Sequence, residues 1–296
     1  MRVPAKINLQ LAVGPRRADG YHDLVTVFHA VSLFDEVTVE HADADIVTVT
    51  GEGEDDVPQD GDNLALRAVA AFRGAALDAS ADPVRVTIRK RIPVAAGLAG
   101  GSADAAATLV ACNELWATGL TQQQLCQIGA GVGSDVAFAV IGGTAVGRGR
   151  GEELSPALVL ATQYHWVLAF ADGQLSTPEV YGTLDKMRSG KPVPPPGLDA
   201  PLMGALRAGD PVRVGKALSN DLQPAALALF PALRKTLEAG REFGALGALV
   251  SGSGPTCLFL ARSRDRALDL AVSLSGAGVC RSVLTAAGPV PGATIR

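Results

Sequence analysis

The run Pro93-Val94-Ala95-Ala96-Gly97-Leu98-Ala99-Gly100-Gly101-Ser102-Ala103-Asp104-Ala105-Ala106 constrains this chain more than any other stretch. Just before it, Val84, Val86 and Ile88 alternate with Arg85, Thr87 and Arg89, the period of a half-buried strand. Just after it, residues 102–116 are rich in alanine and read as a helix able to pack very close to its neighbours. A strand that enters a glycine-rich bend and leaves as a helix turns backbone N–H groups inward. With the helix dipole they form an anion site suited to polyphosphate. A plain glycine turn with Ser102 as helix cap is the other reading of the same residues.

With 296 residues the chain has room for two modest domains, and its 34 glycines with only 4% aromatics predict cores of small and aliphatic side chains. A net charge of −4 without a basic run leaves no source of affinity for nucleic acid. A small anionic ligand stays open; Arg89, Lys90 and Arg91 are either a local cation cluster for it or a solvated strand edge. The four cysteines show no C-x-x-C pair and no zinc spacing, so they are expected reduced and packed. Without a leader-like apolar segment or eighteen uninterrupted apolar residues, the expectation is a cytoplasmic protein with no membrane partner. Nothing fixes an oligomeric state, and a monomer suffices.

Strand-like runs at 25–28, 37–39 and 46–50, separated by turns at Asp19-Gly20 and Asp35-Glu36, predict a strand-rich opening. Residues 51–62 are acidic and read as a solvated loop. Helices are expected from Asn63, its cap, to about Gly74, and over 121–130. Composition shifts around 142–155, and an apolar strand at 166–171 opens a second domain. A proline-rich surface loop at 190–197 follows, then helices at 200–208, 212–218 and 232–239. Strands at 246–250 and 256–260, a helix at 266–275 and a strand at 281–285 complete a layered α+β sandwich.

Three further segments carry candidate chemistry. Ser251-Gly252-Ser253-Gly254-Pro255-Thr256 is either a tight hairpin or a flat backbone that approaches a ligand or another loop. In Pro4-Ala5-Lys6-Ile7-Asn8-Leu9 strand alternation puts Lys6 and Asn8 on one face, where a cation and an amide can orient a hydroxyl; a solvated edge lysine is the alternative. Asp135, within Gly133-Ser134-Asp135-Val136, is a helix cap unless Lys6 lies beside it, in which case it is a candidate catalytic base. No G-x-x-x-x-G-K-[ST], H-R-D or D-F-G set occurs, and no histidine has zinc or triad spacing; His29, His41 and His165 read as structural.

The order and spacing of segments 4–9, 93–106 and 251–257 resemble those of the GHMP kinases, the group of galactokinase, homoserine, mevalonate and phosphomevalonate kinases. That resemblance implies a two-domain α+β fold with the active site in the cleft between domains. A ribosomal-protein-S5-like ATP-binding and catalytic domain would span 1–157, and a ferredoxin-like α/β sandwich 158–296. It further implies ATP with Mg2+ and Lys6 and Asp135 as catalytic residues. Nucleotide contacts would come from Lys90, Pro93, Gly97, Leu98, Ala99, Gly100, Gly101, Ser102 and Ala103; no residue is assigned to the metal. The Asp19-Gly20-Tyr21-His22 element resembles the branch of the family whose small-molecule substrate is cytidine diphosphate methylerythritol, phosphorylated on its 2-hydroxyl. On that resemblance Asn8, Tyr21, His22, Asp135, Thr177, Tyr181, Gly252 and Ser253 bind substrate, with Tyr21 and Tyr181 sandwiching the cytosine and His22 bonding its edge. Homoserine, mevalonate or a sugar as acceptor, and a non-catalytic ligand-sensing relative, are the alternatives. Ala96 and Ala99 stand where related loops carry glycine, which matters if either position has positive φ. Asp104, so near the loop, is expected to turn away from it or toward magnesium.

Overall fold

The computed structural model describes residues 1–76, 81–160 and 162–295. The N-terminal half holds strands β1 (Arg2–Arg16), β2 (His22–His41), β3 (Ile46–Gly51), β4 (Val84–Lys90), β5 (Thr144–Arg148) and β6 (Glu153–Pro156). Its helices are α1 (Leu64–Ala76), α2 (Gly100–Leu115), α3 (Gln122–Val132) and α4 (Val136–Ile141). The C-terminal half contributes strands β7 (Tyr164–Phe170), β8 (Ser219–Asn220), β9 (Gly247–Val250), β10 (Cys257–Ala261) and β11 (Ser282–Gly288). Helices α5 (Thr177–Arg188), α6 (Ala200–Ala208), α7 (Pro211–Ala217), α8 (Gln223–Leu229), α9 (Ala232–Glu242) and α10 (Arg264–Gly276) complete it.

The opening strands are much longer than local sequence suggests. Asp19-Gly20 does turn the chain between β1 and β2, but Asp35-Glu36 does not; it lies within β2. Asp35 is fully buried there and accepts hydrogen bonds from the backbone N–H groups of Arg91 and Ile92. A carboxylate is tolerated inside the strand because its lone pairs are satisfied. β1 and β2 pair antiparallel with register shifts that bend the ribbon. β2 then serves β4 with one end and β5 with the other.

The first sheet runs β3-β4-β2-β1-β8, with β5 and β6 attached beside β2. β8 belongs to the C-terminal half yet pairs parallel with β1, so the later half supplies an edge to the earlier sheet. The second sheet runs β11-β7-β10-β9, all antiparallel neighbours. Numbered by its own strands that order is 4-1-3-2 with helices in the two crossovers, the ferredoxin-like arrangement.

α2 is apolar nearly all round because it is buried nearly all round. Ala105, Ala106 and Ala107 have no exposed surface, and the small side chains let the helix lie against β1, β2 and α1. One apolar core is continuous from Ile7, Ile88 and Leu109 to Trp166 and Leu168 of β7. Thr121 and Gln124 form a reciprocal capping box at α3, and Asp199 and Asp210 cap α6 and α7. Strands β5 and β6 and helices α5 and α8 were not expected from sequence; α1 runs past Gly74 to Ala76 and α9 to Glu242. All four cysteines are free. Among the described residues no helix is long and apolar enough to cross a membrane.

Candidate active site

α2 begins two residues earlier than the sequence reading has it. Its cap is Ala99, and Ser102 is in the first turn rather than at the cap. That frees the Ser102 side chain, which lines a cleft of 540 Å³ together with Gly97, Gly100 and Gly101. Gly97 has φ +74 and Ala99 φ +57, so the loop needs left-handed backbone at both positions; Ala95, at φ +51, adds a third, and Ala96 is not among them. Alanine at 99 therefore holds a left-handed backbone that glycine would adopt freely, at a steric cost of about 1–2 kcal/mol. Ala99→Gly removes that cost and adds an entropic one of about 0.5–1 kcal/mol, so we expect net stabilisation of about 0.5 kcal/mol in urea unfolding. A lowered midpoint would show that residue 99 is not left-handed in solution.

The second glycine turn docks onto this loop. Ser251 Oγ donates to the Gly97 carbonyl at 3.1 Å, and Gly252 comes close to Lys6 and Asn8. Of the two readings of this turn, both hold: it is the β9–β10 hairpin, and it approaches another loop closely. Ser253 Oγ shares a hydrogen with Thr177 Oγ1 at 2.8 Å, tying the hairpin to the first residue of α5.

Lys6 Nζ lies 3.6 Å from Asp135 Oδ2 at the floor of the cleft. Asp135 occupies the position before α4, but its side chain makes no capping bond and is left to face Lys6. Lys6 donates to Asn8 Oδ1 at 2.9 Å, Asn8 Nδ2 donates to Thr26 Oγ1 at 2.8 Å, and Thr26 donates to the Gln10 carbonyl. The Phe28 ring lies 5.5 Å beneath the ammonium. Each of these residues faces inward from β1 or β2, so strand alternation holds the amine rigidly.

Lys90 is not a free cation. It occupies the buried face of β4, and its Nζ bonds Asp35 and, at 2.7 Å, Asp104. The reading of residues 89–91 as a solvated cluster thus fails at residue 90, which is 3% exposed. Asp104 Oδ2 accepts from Lys90. Burial pushes its carboxyl well above the usual carboxylate range, Lys90 pulls it down and the neighbouring Asp35 pushes it up. Its Oδ1 has no hydrogen-bond partner among the described residues. Lys90 and Asp104 still line the cleft, whereas Leu98 and Ala103 are turned inward, each 1% exposed, and do not; the Leu98 carbonyl accepts from the Lys6 N–H.

A second cavity of 670 Å³ adjoins the first, with Thr177, Tyr181, Ser134 and Arg150 lining both. Tyr21 is 55% exposed at its mouth, under the Arg150 guanidinium at 5.3 Å. His22 is buried, stacks on Tyr181 at 5.2 Å and bonds Asp185. Burial pushes the Tyr181 hydroxyl's pKa up, the nearby Asp135 adding to it. Sequence reasoning missed Asp185 and Arg150, and also Val57, Pro58 and Leu64 on the far rim, within or beside a stretch read as solvated loop. Tyr181 and Asp185 are one turn apart on α5, a signal available had the Ser176-Thr177-Pro178 helix start been used.

Two family models match the chain: the GHMP kinases N-terminal domain over residues 63–143 and the GHMP kinases C-terminal domain over 202–280. A curated relative from Thermobifida fusca, named 4-diphosphocytidyl-2-C-methyl-D-erythritol kinase, is 55% identical over all of this chain and 97% of its own length. One of the same name from Mycolicibacterium smegmatis is 54% identical over all of this chain and 91% of its own. A crystal structure of 4-(cytidine 5'-diphospho)-2C-methyl-D-erythritol kinase superposes with a TM-score of 0.77 at 33% identity, covering 97% of this chain and 98% of that one. A crystal structure of L. major mevalonate kinase shares the fold, with a TM-score of 0.75 at 18% identity, covering 99% of this chain and 96% of that one. Motifs, domain matches and full-length relatives agree that this chain belongs to the GHMP kinases, ATP-dependent kinases of small molecules.

Proposed function

We propose that the chain phosphorylates the 2-hydroxyl of 4-diphosphocytidyl-2-C-methyl-D-erythritol with ATP, a step on the non-mevalonate route to isoprenoid precursors. The observation that carries this reading is the Lys6–Asp135 pair at 3.6 Å, set where a polyphosphate-shaped cradle and an aromatic slot meet.

The cradle fits a nucleotide triphosphate. Gly97, Ala99 and Gly100 carry no side chain beyond a methyl, the first turn of α2 presents unpaired N–H groups, and Ser102 contributes a hydroxyl. ATP, with a divalent cation such as Mg2+, supplies the transferable phosphoryl group when bound; Ser102 is the residue of the cradle suited to touch a phosphate oxygen or the cation. Val57, Pro58 and Leu64 offer an apolar rim for the adenine. Asp135 accepts the proton of the attacking hydroxyl, while Lys6 compensates the charge that develops on that oxygen. Asn8 and the Asn8–Thr26 bond keep the ammonium aimed. Phosphoryl transfer depends mostly on alignment and charge compensation, so the loop and helix terminus contribute more acceleration than the base.

In the adjoining cavity Tyr21 and Tyr181 stack on a cytosine and His22 bonds its edge, while Thr177, which lines both cavities, and Ser253 of the first cleft touch the middle of the substrate. Arg150, between the two cavities, suits the diphosphate. Stacking on an aromatic ring is worth about 1–3 kcal/mol per base, so Tyr181→Ala is expected to raise KM for the cytidine substrate about 5- to 150-fold while KM for ATP stays put. Offering ATP and magnesium with this substrate, homoserine, mevalonate or a sugar, and following phosphorylated product by mass, tests the assignment. Product from mevalonate alone would refute the cytidine reading, and binding without ADP release would mark a ligand sensor.

A further inference from the structure

Asp185 belongs to none of the motifs and reaches the base cavity from α5. Its Oδ1 lies 2.8 Å from His22 Nε2, and its Oδ2 is 4.0 Å from Arg16 Nε. The His22 side chain is 5% exposed and its ring is pressed on Tyr181, so it has one orientation. A carboxylate accepts hydrogen bonds and donates none; the proton of this contact therefore sits on Nε2. In the neutral ring Nδ1 is then a bare acceptor. Nδ1 has no hydrogen-bond partner among the described residues and is not among the buried orphaned atoms.

We propose that Asp185 is a specificity-determining positioning residue: by setting the His22 tautomer it presents an acceptor to the nucleobase, selecting cytosine, whose C4 carries an amino donor, over uracil, whose C4 carries a carbonyl acceptor. The inference rests on the cytidine reading above and adds to it the residue that enforces the choice. With uracil in the slot two lone pairs face each other, and a site built around a hydrogen bond rejects the analogue that cannot make it. Asp185→Asn can offer its amide N–H to Nε2, which allows the opposite tautomer and reverses the preference at Nδ1.

The test measures kcat/KM for the cytidine and uridine diphosphate forms of methylerythritol with ATP, alongside long-range 1H–15N correlation of His22 in buffer alkaline enough for neutral imidazole. The wild-type protein is expected to prefer cytidine by about 10²-fold or more, and Asp185→Asn to lose at least about tenfold of that preference, through KM and not kcat. Asp185→Glu, which keeps a carboxylate acceptor, is expected to recover part of the preference. The spectrum should show the proton on Nε2 in the wild type and on Nδ1, or shared, in Asp185→Asn. A preference that survives in Asp185→Asn, or an Nδ1 proton in the wild type, overturns the role given to Asp185. Equal use of both substrates by the wild type overturns the cytidine reading itself, and the specificity role with it.

Discussion

An Asp135→Asn protein is expected to turn over about 10²- to 10⁴-fold more slowly at saturating substrates, the usual contribution of a positioned general base. Asparagine keeps the size and the polar contact near Lys6 but cannot take the hydroxyl proton. Because Asp135 makes no capping bond to α4, the exchange leaves the helix start intact, and ATP affinity measured by calorimetry should not move. Unchanged turnover would remove Asp135 from the mechanism. A parallel loss of ATP binding would mean that the carboxylate holds the loop and not the proton.

The second large effect is on stability. Lys90→Met leaves Asp35 and Asp104 facing each other without their cation, and breaking a buried pair by removing one partner costs about 3–5 kcal/mol. Denaturant unfolding measures this loss. Since α2 starts beside Lys90, a raised KM for ATP should accompany it. Asp104→Asn behaves differently. Burial first, and Asp35 after it, raise the Asp104 carboxyl, outweighing Lys90. The folded chain thus holds a proton that the unfolded chain has released. That contribution is full below the ordinary carboxylate range and disappears as pH rises through the raised value. Lys90 is raised too; burial alone would lower it, but both aspartates more than offset that, so its own contribution persists until strongly alkaline pH. Wild-type stability relative to Asp104→Asn should therefore fall as pH climbs from the acid side toward neutrality. A flat difference would show that Asp104 stays ionised throughout.

The parts of this molecule that sequence reveals are those whose rule is local. Residues 4–9 alternate, and Lys6 and Asn8 indeed share a face; residues 84–89 alternate, and β4 forms there. Of the two alanines that stand where related loops carry glycine, Ala99 is left-handed and Ala96 is not, so that signal is right at one position and wrong at the other. Residues whose role is tertiary stayed hidden. Asp35 looks like a turn former until Arg91 and Ile92, far along the chain, donate to it. Lys90 looks solvated because two neighbouring arginines suggest an exposed edge, while the pleat of β4 in fact sends it inward. Helix α5 lacks a strong apolar stripe, burying only Val180 and Leu184, so Asp185 never came into view. The acidic 51–62 stretch hid the cleft-lining Val57 and Pro58, since composition describes the average of a segment and not the two side chains that turn in.

The contact between the two glycine turns bears on how far this architecture is modular. A methyl group built on Gly97 would fall 2.3 Å from the Ser251 carbonyl oxygen, so the two main chains are moulded to each other with no side chain to cushion them. The glycine-rich loop before α2 thus takes part of its curvature from a hairpin 154 residues downstream. A chimaera joining this N-terminal half to the C-terminal half of a distant family member would inherit a cradle shaped by neither parent, even where every contact residue was preserved.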